Sequence, residues 1–197
     1  AHTTTIVTLV LLLVVLFVIY RKPLTMLLPI VVIGVSLQVT KGVLSLVGLQ
    51  GFPVSSYTSN FVIAICLGAG TDYCLFLISR FRENYRDAGG DPSAIGSSIT
   101  NAMQRVGPAV LASSLTVMLA SICMSLTQLS LFSTTGPGMA ICVAITVTVS
   151  LTLGPALLKL SGARIGPASP VNSNSRWYRT GRSVANNPKR ALIMGLT

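Results

Sequence analysis

Long apolar runs alternate with short polar or basic segments along the chain. A helix needs about 20 mostly apolar residues to cross a hydrocarbon core of about 30 Å. The runs therefore predict five spans, over residues 3–20, 24–49, 57–79, 106–126 and 138–160. Arg21-Lys22 closes the first, and Pro23 opens the second where a missing N–H costs little. Arg80-Phe81-Arg82 closes the third, Gly107-Pro108 opens the fourth, and Gly136-Pro137 precedes the fifth. Pro155 predicts a kink near the end of the fifth. A further span starts at Pro188, with Asn187 as its N-cap, and covers 188–197.

Two shorter segments are amphipathic. Asp91-Pro92 reads as an N-cap and first helical residue, and Ile95, Ile99, Met103 and Val106 follow at helical spacing. This predicts a separate helix lying along the inner membrane surface. In 175–184, Trp177, Tyr178 and Val184 accompany Arg176, Arg179 and Arg182. That pattern fits an interfacial elbow helix with an aromatic anchor; Gly181 weakens the helix and leaves a plain basic linker open. The expected organisation is a transmembrane helix bundle over 3–160, a cytoplasmic connector and elbow helix over 161–187, and the start of a sixth span. The fold class is an all-α, polytopic membrane protein.

Composition supports the bilayer as solvent. Of 197 residues, 51% are hydrophobic and 9% charged, against roughly 25% charged in soluble domains. The mean hydropathy is +0.75. Disorder and an ordinary soluble domain are excluded. Fourteen Lys and Arg stand against four Asp and Glu. Such an excess can signal nucleic acid, but here the basic residues sit at the ends of apolar runs, so no nucleic-acid partner is expected. All but Lys41 fall in alternate connections, while 50–56 and 127–137 carry no charge. The positive-inside rule puts the basic connections, Arg80 and Arg82 with Trp177 and Arg179 among them, at the cytoplasmic face. Lys41, late in the second span, either snorkels to the outer interface or forms an ion pair. Cys66, Cys74, Cys123 and Cys142 lie in apolar runs without a C-x-x-C pair and read as small buried hydrophobes. No metal or cofactor is implied. The chain opens on Ala1, with no basic segment before its first apolar run, and reads as part of something longer.

The chemistry concentrates on Asp72, the one acid inside an apolar run. A charged Asp at a helix centre costs about 2.5–3.5 kcal/mol on insertion scales. Either it is a neutral, hydrogen-bonded packing residue, or it marks an ion or proton pathway. Asn60, Ala64, Gly68 and Asp72 recur every four residues and make one broad face of small residues, where another helix can approach closely. Tyr73 supplies a neighbouring hydroxyl, about 100° round the helix. In the fourth span Ser113, Ser114 and Thr116 can each bond a backbone carbonyl one turn back; one of them facing Asp72 would complete a proton path. An aspartyl protease needs two membrane carboxylates and only one is present, so no enzyme is expected. One carboxylate with few neighbouring oxygens also argues against a dedicated Na⁺ cage.

Gly68-Ala69-Gly70-Thr71-Asp72-Tyr73, continued by Ser79-Arg80-Phe81-Arg82-Glu83, closely resembles the MmpL family of the resistance–nodulation–division (RND) superfamily. The likeness extends through Gly107–Leu115 and Leu151–Ala156. It implies spans two to six of a twelve-span transporter, the elbow helix and the start of span seven. It also implies proton-driven export of lipids or other hydrophobic envelope compounds across a bacterial inner membrane. Asp72 and Tyr73 match the family's proton-relay pair, and a relay serine falls on Ser113; Gly70 and Thr71 belong to the same motif and are expected to help pack the relay. The second half, the extracytoplasmic porter domains and the lipid or hydrophobic substrate would then be partners, with the surrounding bilayer. The alternative is a non-transporting membrane scaffold with Asp72 as structural glue.

Overall fold

The computed structural model describes residues 23–49 and 56–166, and these are helical throughout except for short turns. Four long helices follow one another: α1 (Pro23–Leu49), α2 (Ser56–Asp87), α3 (Ile95–Cys123) and α4 (Ser130–Ile165). Each is long and apolar enough to cross a membrane. The described residues are thus all-helical, with the four apolar helices of a multi-pass membrane protein. The expected span at 3–20, the elbow helix with Trp177 and Arg179, and the start of a sixth span lie outside the described residues.

α2 and α4 form the central pair. Both pack on α1 and on α3, which lie to either side of them. One core cluster joins Leu28 and Val32 of α1, Leu77, Ile78 and Phe81 of α2, Ile99 and Ala102 of α3, and Leu158 and Ile165 of α4. A second joins Ile33 and Leu44 to Val62, Cys66 and Cys142. The thiols of Cys66, Cys74 and Cys142 are buried, as expected, but Cys123 is exposed at the end of α3. Buried hydroxyls also bridge helices: Thr58 and Thr135 meet at 3.4 Å, and Thr146 donates to the Cys66 sulfur at 3.5 Å.

The helices run past the boundaries expected from charge and proline, and packing is the reason. α2 does not stop at Arg80–Arg82. It continues two turns to Asp87 because Phe81 and Tyr85, both buried, stack at 5.6 Å and extend the core. It ends where Gly89 and Gly90 take positive φ. Gly90 N–H then bonds the Tyr85 carbonyl and Gly89 N–H the Arg86 carbonyl, the Schellman closure. Asp91 caps the 3-10 turn that follows, Pro92–Ala94, accepting from Ser93 N–H at 2.9 Å. That bond holds the Asp91 carboxyl below the ordinary carboxylate range. The cap is at full strength above the ordinary range and is lost as pH falls through the lowered one.

The separate surface helix over 91–106 does not exist. A short 3-10 turn, Pro92–Ala94, leads directly into α3, which runs unbroken through Gly107 and Pro108 to Cys123. A proline inside a helix frees one carbonyl, a cost membrane helices tolerate. Here Ile99 and Ala102 are buried against α2 and α4, so the amphipathic face meets protein rather than lipid headgroups. α4 likewise starts at Ser130 instead of 138, running through Pro137 and Pro155. Thr135, Gly136 and Gly138 are buried, and this packing draws most of the expected 127–137 loop into the helix.

A carboxyl, phenol and hydroxyl around one intramembrane cavity

A cavity of about 460 Å³ opens between α2 and α3, with Asp72, Tyr73, Phe76, Arg105 and Ser113 in its wall. α2 contributes Asp72 and Phe76, one turn apart, from its exposed face. Tyr73 comes from the adjoining buried face, where its ring packs with Val110 and Val147. The 100° between adjacent helix residues therefore leaves Asp72 and Tyr73 on two walls of one space. α3 contributes Arg105, Ala109 and Ser113 at intervals of four residues, which align on one helix face.

The three candidate hydroxyls of α3 separate cleanly. Ser113 donates to the Val110 carbonyl at 3.0 Å and lines the cavity together with Tyr73. Ser114 is buried and donates to Leu111 at 2.9 Å. Thr116 donates to Ala112 at 3.0 Å and is exposed. Only Ser113 lines the cavity. Among the described residues Asp72 makes no hydrogen bond and no ion pair, and it is exposed on α2. Its carboxyl opens into a space that holds a phenol and a hydroxyl, groups able to pass a proton along a hydrogen-bonded line.

The remaining motif residues do not converge on this cavity. Asn60, Ala64 and Gly68 are exposed with Asp72 along α2, and a Cβ at Gly68 would meet nothing within 4 Å. Gly70 faces the other way: a Cβ there would stand 3.0 Å from Ile33 and 3.4 Å from Thr146. Its role is close packing of α2 against α1 and α4. Thr71 is half-buried, and its hydroxyl is tied back to the Leu67 carbonyl of its own helix. Arg80 pairs with Glu83 one turn on, at the basic end of the bundle, with Arg82 beside it. Arg105 escaped the sequence reading as a cavity residue, although its spacing of four and eight from Ala109 and Ser113 carried the signal.

The chain is similar to much longer transport proteins. It is 40% identical over 91% of its length to the probable transport protein MmpL10 of Mycobacterium leprae, covering 18% of that protein. It is 36% identical over 93% of its length to the probable transport protein MmpL8 of Mycobacterium bovis. It is 35% identical, again over 93%, to the sulfolipid-1 exporter MmpL8 of Mycobacterium tuberculosis. The chain spans less than a fifth of the length of these relatives. The sequence model of the MMPL family matches residues 1–191, nearly end to end, and the chain belongs to that family, within the RND superfamily.

Proposed function

We propose that the chain is the transmembrane core of the first half of a proton-motive-force-driven exporter of lipids or other hydrophobic envelope compounds. The carrying observation is that Asp72 opens on the cavity that Tyr73 and Ser113 share. Protonation alternates at Asp72, with Tyr73 and Ser113 conducting the proton to it. Charged, Asp72 holds groups of the second half of the transporter; neutral, it releases them and the halves rock. One charge crossing the full potential is worth about 2.3 kcal/mol per 100 mV, and a pH difference of one unit adds about 1.4 kcal/mol. Those sizes bias a two-state rearrangement of helices. The exposed Asn60-Ala64-Gly68 face is where the second half approaches. A relative is named as a sulfolipid exporter, which supports an amphiphilic lipid as cargo. The porter domains that handle it lie in other parts of the longer polypeptide.

The relay is tested by export from vesicles under an imposed pH gradient, using the full-length protein. Tyr73→Phe keeps the ring and its contacts with Val110 and Val147 but removes the hydroxyl, and is expected to slow export about tenfold or more, in line with general acid–base contributions. Ser113→Ala is expected to act in the same direction, and Ser114→Ala, which loses only a bond within its own helix, to leave the rate nearly unchanged. Equal effects of the two serine substitutions would refute the assignment.

The arrangement in the membrane belongs to the same proposal. The bundle lies in a bacterial inner membrane with Arg80–Arg105 in the cytoplasm and 50–56 and 127–129 outside, following the basic residues. On a cysteine-free background, Gln128→Cys is expected to react with an impermeant thiol reagent added from outside, and Ser93→Cys only after permeabilisation. The reverse pattern overturns this orientation.

A further inference from the structure

A second cavity, of about 330 Å³, lies between α1 and α2, near the start of α2 and several turns from Asp72. Lys41, Ser45, Gly48 and Ser59 line it, with Leu44 and Val62 behind them. Lys41 is exposed, in a helix that carries no other charged residue. An ionisable residue in an apolar span is costly and calls for a partner.

This chain cannot supply one. It has four acidic residues in all. Asp72 lines the other cavity. Glu83 is paired with Arg80 and Asp87 with Arg86. Asp91 caps the turn before α3. The hydroxyls beside Lys41 are also uncommitted. Ser36, lower on the same helix, ties its hydroxyl back to Val32, but those of Ser45 and Ser59 make no hydrogen bond within the described residues.

We propose that Lys41, Ser45 and Ser59 bind the anionic headgroup, a phosphate or sulfate ester, of a membrane amphiphile in the outer leaflet. The depth fits. Lys41 stands about 27 Å along α1 from Pro23 at a rise of about 1.5 Å per residue, close to the far boundary of a hydrocarbon core of about 30 Å. An ammonium there meets headgroups rather than acyl chains. A tetrahedral oxyanion has oxygens for the ammonium and both hydroxyls together, and hydrogen bonds to a charged acceptor are the stronger kind. The surroundings favour a lipid over a soluble anion: Leu44 and Val62 back the cavity, and Val35 and Val39, on the bilayer side of Lys41 in the same helix, are exposed apolar surface for acyl chains. The site rests on the proposed orientation but not on the proton relay.

The test uses the full-length protein in nanodiscs of equal phosphatidylglycerol and phosphatidylcholine, with retained lipids counted by native mass spectrometry. Wild type is expected to retain the anionic lipid about fivefold over the zwitterionic one, the equivalent of about 1 kcal/mol per basic residue at a headgroup. Lys41→Gln is expected to bring the ratio to that of the bulk lipid, and Lys41→Arg to preserve it. Melting temperatures equal to wild type establish that both variants are folded. A bulk ratio in wild type, or an unchanged preference in Lys41→Gln, overturns the proposal; Lys41 then only snorkels or meets a carboxylate elsewhere in the longer polypeptide. Displacement of the lipid by millimolar inorganic phosphate would reassign the cavity to a soluble anion, also overturning it. Asp72→Asn is expected to keep the lipid preference while losing export, so the two readings fail separately.

Discussion

Replacing Asp72 with Asn in the full-length protein is expected to reduce export to the background of protein-free vesicles, with insertion and melting temperature unchanged. The substitution keeps size and hydrogen-bonding capacity but cannot titrate. Asp72 is exposed on α2 and has no hydrogen bond or ion pair within the described bundle, so Asn forfeits no contact there. Substitutions of that kind usually change stability by less than about 0.5 kcal/mol. A scaffold role predicts the opposite pattern: loss of assembly or stability, with no transport phenotype of its own. Export by Asp72→Asn at the wild-type rate under an imposed pH gradient would end the relay reading. Loss of export together with a large drop in melting temperature would return Asp72 to a packing role.

The sequence carried the helices more securely than their ends. The apolar runs locate α1 to α4 because a bilayer demands about 20 apolar residues per crossing. Boundaries drawn from Arg80–Arg82, Gly107-Pro108 and Gly136-Pro137 each fell short, because those residues mark where a helix can stop, and packing decides whether it does. Phe81 and Tyr85 carry α2 onward; Ile99 and Ala102 fuse the amphipathic segment to α3. The stop that held was Gly89-Gly90, where two positive φ angles close the helix with backbone bonds. The candidate site was legible in the same graded way. Spacing of four residues put Asn60, Ala64, Gly68 and Asp72 on one exposed face, and the family likeness picked Ser113 over Ser114. Gly70 packs helices, but against α1 and α4 and away from Asp72, because a motif groups residues by sequence while a helix turns adjacent positions about 100° apart. Arg105 was assigned to the basic flank on its charge alone, although its spacing from Ala109 and Ser113 put it on the α3 face that lines the cavity.

The largest stability effect is expected from Gly136→Ala, at the crossing of α3 and α4. An added Cβ would stand 2.3 Å from the Ser121 carbonyl oxygen, 3.1 Å from the Met124 Cβ and 3.3 Å from the Ser125 nitrogen. Two of these are backbone atoms, so no rotamer change relieves the contact, and the helices must separate. Gly138 is less severe: its Cβ would meet only side chains, the Thr58 methyl at 2.6 Å and Leu44 at 3.6 Å. Thr58 can shift, but its hydroxyl contact with Thr135 is then disturbed. Overpacking of a tight core costs about 1–3 kcal/mol, and helix propensity returns less than about 1 kcal/mol for Gly to Ala. Gly96 is the control, exposed near the start of α3 with nothing within 4 Å of its Cβ. The expected order of melting temperatures in detergent is Gly96→Ala at or above wild type, then Gly138→Ala, then Gly136→Ala lowest. A Gly136→Ala protein that melts with wild type would mean that α3 and α4 do not cross this closely in the membrane. The early start of α4 at Ser130, which that crossing secures, would then have to be withdrawn with it.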